Sequence, residues 1–165
     1  MKRKSLFRTL CANAVVAALY AVVTIVLGAF SYGPVQFRVS EALVVLCAFR
    51  PSLGVGLTLG CFLANLFSSV TALDLIFGTL ATALACLWTS RCRRLWLMPV
   101  PNILTNALIV GAMLAAVLSP NAFLPSFGLM ALQVGVGELV VMYGLGLPFA
   151  ALLRNTKLMD QILPK

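Results

Sequence analysis

Three carboxylates stand in apolar surroundings where such side chains are costly: Glu41, Asp74 and Glu138. A carboxylate only accepts hydrogen bonds, so it can hold two N–H donors of a ligand side by side or offset a cation. Placed in a bilayer it costs about 2.5–3.5 kcal/mol on insertion scales, and it normally pairs or lines a cavity. Glu138 follows Gly137, lies near Gly135, and has no basic residue one helical turn away, which leaves it the weakest structural excuse. Glu41 comes three residues after Arg38, one helical turn, so mutual neutralisation explains it as readily as a ligand does. Asp74, with Ser68, Ser69 and Thr71 close by, reads equally as a helix N-cap.

Neutral polar residues extend the set. Asn65 precedes the Ser68–Ser69 turn, Asn102 and Asn106 are one helical turn apart, and Gln133 sits one turn before Gly137. Hydrogen bonding between helices is the ordinary role of such groups in apolar spans, and it is the role expected of Asn102. Tyr32 and Phe37 flank the Gly33-Pro34 turn and offer flat faces to a planar ligand; aromatic residues of a membrane boundary have the same sequence signature. Little else is reactive. The chain has no histidine, and its five cysteines form no CxxC pair, so neither a metal site nor a disulfide framework is expected. The cysteines read as small apolar packing residues. No nucleophile–base pair is evident, and neither catalytic residues nor a cofactor is expected.

The elements that must position these groups are dictated by composition. Of 165 residues, 62% are hydrophobic and 10% charged, with a mean hydropathy of +1.06. A soluble domain carries about a quarter of its residues charged. The solvent must therefore be lipid, and the chain reads as one all-α integral membrane domain. Residues 9–30 are long enough to cross a hydrocarbon core and too long for a signal-peptide apolar region, so they form the first span. Further apolar runs cover 39–49, 51–69, 74–90, 96–118 and 127–153. The 39–49 run is short, and two re-entrant halves are an alternative there. Pro51 opens the third run at a position that helices tolerate.

Charge fixes the expected orientation. The formal net charge is +8, but the basic residues gather at the ends of apolar runs: Lys2, Arg3, Lys4 and Arg8, then Arg91, Arg93 and Arg94, then Arg154, Lys157 and Lys165. With six crossings and a cytoplasmic N-terminus, eleven of the twelve basic residues fall inside and only Arg38 outside. Removing or adding one span destroys that asymmetry. The expectation is a bundle of six transmembrane helices with both termini cytoplasmic, in the plasma membrane of a prokaryote. Basic stripes interleaved with aromatics are missing, so nucleic acid is not an expected partner. The two halves share no Pro/Gly pattern, which argues against an inverted-repeat transporter.

In this frame Glu41 and Asp74 lie at the outer ends of their helices and Glu138 near mid-depth, converging on a site that opens outward. The stretches GPVQFRVSEAL (33–43), GCFLANLFSSVTALDLIFGTLAT (60–82) and VGELVVMYGLGLP (136–148) resemble the QueT family. Its members are the substrate-binding components of energy-coupling factor transporters for queuosine precursors, and the likeness covers about residues 9–153. The resemblance implies a subunit that captures a small solute without an ATPase of its own. It would dock on a transmembrane coupling protein driven by two cytoplasmic ATPases. The chain indeed has no GxxxxGK[ST] phosphate loop. The small residues Ala14, Ala17, Ala18 and Ala21 of the first helix would contact the coupling protein. A 7-deazaguanine base presents an N–H and an exocyclic NH2 that Glu138 or Glu41 could accept, and Asp74 would favour an aminomethyl cation. A substrate-binding component for another vitamin, such as thiamine, and a self-sufficient channel or carrier are the alternatives. A membrane enzyme is the least favoured.

Overall fold

The computed structural model describes residues 2–31, 36–68 and 72–156, with side chains from Leu6 onward. Helix is the only regular structure among them. The first helix, α1 (Lys2–Val26), turns Leu10, Val15, Leu19 and Val22 outward and buries Ala17, Tyr20, Ala21 and Thr24. Large apolar side chains on the outside are unfavourable in water and neutral in lipid, as the composition requires. After α2 (Gly28–Ser31), the chain re-enters as a 3-10 segment, Val39–Val45, continued by α3 (Leu46–Phe49). By helical rise this stretch covers roughly 20 Å, short of a hydrocarbon core of about 30 Å.

A 3-10 turn at Pro51–Leu53 leads into α4 (Gly54–Asn65), and α5 (Asp74–Thr89) follows. α4 packs against both α1 and α5. A Cβ on Gly56 would lie 2.5 Å from the Asn13 carbonyl oxygen and one on Gly60 2.7 Å from that of Ala17, so α1 and α4 touch backbone to backbone. Small residues at a crossing permit that approach in a bilayer, where apolar side chains gain nothing by leaving lipid. The Asn13 side-chain oxygen accepts from the Gly56 N–H at 2.6 Å and fixes the register.

The fifth apolar stretch is continuous: α6 (Val100–Thr105), a π-turn at Asn106–Val110, and α7 (Gly111–Leu118). The Asn106 side-chain amide donates to the Asn102 carbonyl at 3.1 Å, competing with the backbone ladder where the helix widens. The sixth comprises α8 (Phe123–Val141), a π-turn at Met142–Gly146 and α9 (Leu147–Thr156). This second π-turn precedes Pro148, which cannot supply the N–H that a regular helix would use. Three stretches, Leu6–Val26, Leu95–Leu118 and Pro120–Thr156, are long and apolar enough to cross a membrane. Val39–Phe49, Pro51–Asn65 and Asp74–Thr89 are shorter apolar helices. Each lies along one of the apolar runs read from the sequence, the last beginning at Pro120 rather than at residue 127, and three of the six are long enough by themselves to cross a membrane.

Candidate functional site

One polar cluster occupies the interior where α1, the 3-10 segment, α4, α5, α6 and α8 meet. It contains Tyr20, Arg38, Glu41, Asn65, Asp74, Thr82, Asn102, Asn106 and Glu138, none more than 3% exposed. Burying this many polar groups is tolerable only if they satisfy one another. Arg38, just ahead of the 3-10 segment, donates from Nη2 to Asn65 Oδ1 at 3.0 Å and from Nη1 toward Cys61 Sγ at 3.9 Å. Asn65 donates in turn to the Asp74 carbonyl at 2.9 Å, tying the end of α4 to the start of α5. Gly78 makes room for this arrangement, because a Cβ there would lie 2.8 Å from Asn65 Nδ2.

Each carboxylate is anchored through one oxygen. Glu41 Oε1 accepts from the Tyr20 hydroxyl and from Thr82 Oγ1, the latter at 3.0 Å. Asp74 Oδ2 accepts from Ser68 Oγ at 2.5 Å, and Glu138 Oε2 from Asn102 Nδ2 at 2.8 Å. The remaining oxygens of two acids are buried without a hydrogen-bond partner among the described residues: Glu41 Oε2 and Asp74 Oδ1. The same holds for Gln36 Nε2, a donor, and Gln133 Oε1. Gln36 is held beside Glu138, since its carbonyl oxygen lies 2.2 Å from where a Cβ on Gly137 would be. Three acids and one guanidinium share this buried cluster.

The sequence reading and the fold agree on some of these residues and part on others. Arg38, Glu41, Asn65, Asp74, Asn106 and Glu138 come together. Arg38 and Glu41 each reach across to other helices. Asp74 is the first residue of α5 rather than its N-cap, which is Leu73. Ser69 and Thr71, the other polar neighbours expected there, lie outside the described residues, as does Tyr32. Phe37 is half-buried and donates its backbone N–H to the Phe30 carbonyl at 2.9 Å. Gln133 is half-buried on α8, one and a half turns before Glu138.

Asn102 makes the expected interhelical bond, but its partner is the Glu138 carboxylate, so it belongs to the site. Cys61, read as a packing residue, accepts from Asn65 Nδ2 at 3.4 Å and Thr82 Oγ1 at 3.2 Å. Tyr20 and Thr82 carried no motif that marked them. The four alanines of α1 divide: Ala17 and Ala21 are buried against the bundle, while Ala14 and Ala18 are exposed. Residues one turn apart share a face, and α4 occupies the one that holds Ala17 and Ala21. Among the described residues no group of histidine, cysteine, aspartate and glutamate could hold a metal ion.

The sequence model of one protein family, described as QueT transporter, matches residues 10–155. The chain belongs to the QueT transporter family. It is 46% identical over 71 residues to the Queuosine precursor transporter QueT of Lactococcus lactis subsp. cremoris. That match covers 42% of the chain and 41% of the relative, so it spans about two fifths of either protein. No solved structure matches the chain. Family membership and the apolar helices together make this a multi-pass membrane protein of a transporter family. The polar cluster lies wholly inside the matched residues.

Proposed function

We propose that this chain is the solute-binding subunit of an energy-coupling factor importer, capturing a queuosine precursor built on 7-deazaguanine. The observation that carries the reading is the pair of unsatisfied acceptors, Glu41 Oε2 and Asp74 Oδ1, in a fully buried site that also holds Glu138. A buried acceptor left without a partner costs about 1–3 kcal/mol, and a solute bearing N–H donors relieves it. The deazaguanine edge supplies a ring N–H, an exocyclic NH2 and a carbonyl oxygen. Glu41 Oε2 and Glu138 receive the two donors, and Gln36 Nε2 gives to the carbonyl. Asp74, beside Ser68, favours an aminomethyl cation.

Six crossings place the polar cluster toward the outer face and the basic loop 91–94 inside, with both termini cytoplasmic in the plasma membrane. The chain acts as one transmembrane domain without an ATPase of its own. The exposed Ala14 and Ala18 contact the transmembrane coupling protein, which two cytoplasmic ATPases drive. Because the cluster is closed, solute enters and leaves only when the surrounding segments part, a step that docking on the coupling protein would power.

Calorimetry with the detergent-purified chain tests the binding step, using a 7-deazaguanine base with thiamine and riboflavin as controls. One-to-one binding of the base alone is expected, weakened in Glu41→Gln. Equal or tighter binding of a control would overturn the assignment. Transport of the base by vesicles holding this chain alone would overturn dependence on a coupling module.

A further inference from the structure

At the opposite end of the bundle from the polar cluster, a cavity of about 600 Å³ lies between the end of α3, the loop after α5 and the last turn of α9. Phe49, Ser90, Arg91, Arg93, Met98 and Arg154 line it. Three guanidinium groups around one cavity repel each other. The carboxylates among the described residues all belong to the polar cluster, so none of them offsets this charge. A second hollow, an apolar groove of about 380 Å³, runs between α4 and α5 along Val55, Leu59, Ala83 and Leu87. Ser90 lines both, so groove and cavity adjoin.

Groove polarity is spent internally. Thr58 Oγ1 donates to the Gly54 carbonyl at 2.8 Å, and Ser90 Oγ to the Leu87 carbonyl at 2.6 Å. Arg91 Nη1 donates to that same Leu87 carbonyl at 2.9 Å, which holds its guanidinium at the junction and leaves its other N–H donors for the cavity. Arg93 and Arg154 have no hydrogen-bond partner among the described residues.

From the joined hollows we infer that this chain carries a site for one anionic phospholipid, with the phosphate among Arg91, Arg93 and Arg154 and an acyl chain in the α4/α5 groove. Guanidinium forks match phosphate oxygens, and basic pockets between helices at the cytoplasmic face meet the anionic leaflet. An apolar groove that begins at the phosphate site fits a headgroup continued by a hydrocarbon tail, and free phosphate would leave that groove unused. The inference rests on the cytoplasmic placement of loop 91–94 proposed above.

The chain has two tryptophans, Trp88 and Trp96, which come two residues before the cavity-lining Ser90 and Met98 and are 47% and 55% exposed. They report on the site without labels. The full chain is placed in phosphatidylcholine nanodiscs, and phosphatidylglycerol with brominated acyl chains is titrated in. Tryptophan quenching should saturate at a mole fraction at least several-fold below that needed with brominated phosphatidylcholine. Unlabelled phosphatidylglycerol should reverse it, and unlabelled phosphatidylcholine should not. R91Q/R93Q/R154Q should bring the curve to the phosphatidylcholine level, and Ala83→Leu, which fills the groove, should weaken the quenching.

Equal quenching by the two brominated lipids overturns the inference, whether or not the variants fold. Reversal by inorganic phosphate assigns the arginines to a free anion and also overturns it. The base-binding titration is run on the same nanodiscs. Loss of lipid preference with base binding intact sinks this site alone, whereas the converse sinks the deazaguanine reading alone.

Discussion

The two ends of the bundle handle charge in opposite ways. In the polar cluster Arg38, Glu41, Asp74 and Glu138 are buried, and every one is held by side chains from other segments. At the basic end Arg91, Arg93 and Arg154 are exposed, and among them only Arg91 is fixed by a described hydrogen bond, to a carbonyl at the end of the preceding helix α5. A buried charge must be given its geometry by the fold, because an unpaired one is unaffordable. An exposed charge needs no fixed position and acts as a field. On the roles proposed above, the cluster would read the shape and donor pattern of a solute, and the basic end the sign of what approaches it.

The contrast breaks most readily at the carboxylates. Glu41→Gln and Glu138→Gln should each weaken 7-deazaguanine binding about 10- to 150-fold, the equivalent of a charged hydrogen bond of about 1.5–3 kcal/mol. R91Q/R93Q/R154Q should leave it within about twofold. Calorimetry on the three proteins decides, and an equal loss in the arginine variant would end the distinction between the two regions.

Next in size is the split within α1. Ala14→Trp with Ala18→Trp should abolish co-purification with the coupling protein while solute affinity and melting temperature hold. Ala17→Leu, directed at Gly60, should instead lower the melting temperature. If both variants behave alike, the two faces of α1 do not have separate duties. Gly137→Ala isolates the cost of crowding the site, since its Cβ would lie 2.2 Å from the Gln36 carbonyl oxygen. About 1–3 kcal/mol of overpacking corresponds to a melting temperature lower by about 2–12 °C. Gly128→Ala, which would meet nothing within 4 Å, should leave the melting temperature within about 2 °C.

The smallest effect concerns Cys92, which lines the basic cavity outside the helices. Burial pushes its thiol up, so less thiolate is present at neutral pH than for an ordinary cysteine. Its maleimide alkylation should keep accelerating above pH 9, and phosphatidylglycerol should slow it about twofold. A rate that levels off at the same pH as that of a free cysteine would show an unburied thiol and a more open cavity.

Composition and charge order were enough to read the lipid solvent, the six apolar stretches and the carboxylates out of place in them. These are properties of each segment with its immediate neighbours. Tertiary structure decided what those acids do. Tyr20, Thr82 and Asn102 lie 21, 41 and 36 positions from the carboxylates they hold; nothing local marks the first two, and nothing local names the partner of Asn102. Ala14 and Ala17 are alike in sequence, yet α4 covers one and leaves the other outside. Arg154 joins Arg91 and Arg93 only because α9 ends beside the loop after α5. A span's apolar character is set by its own residues, but which face turns inward depends on the helix that packs against it.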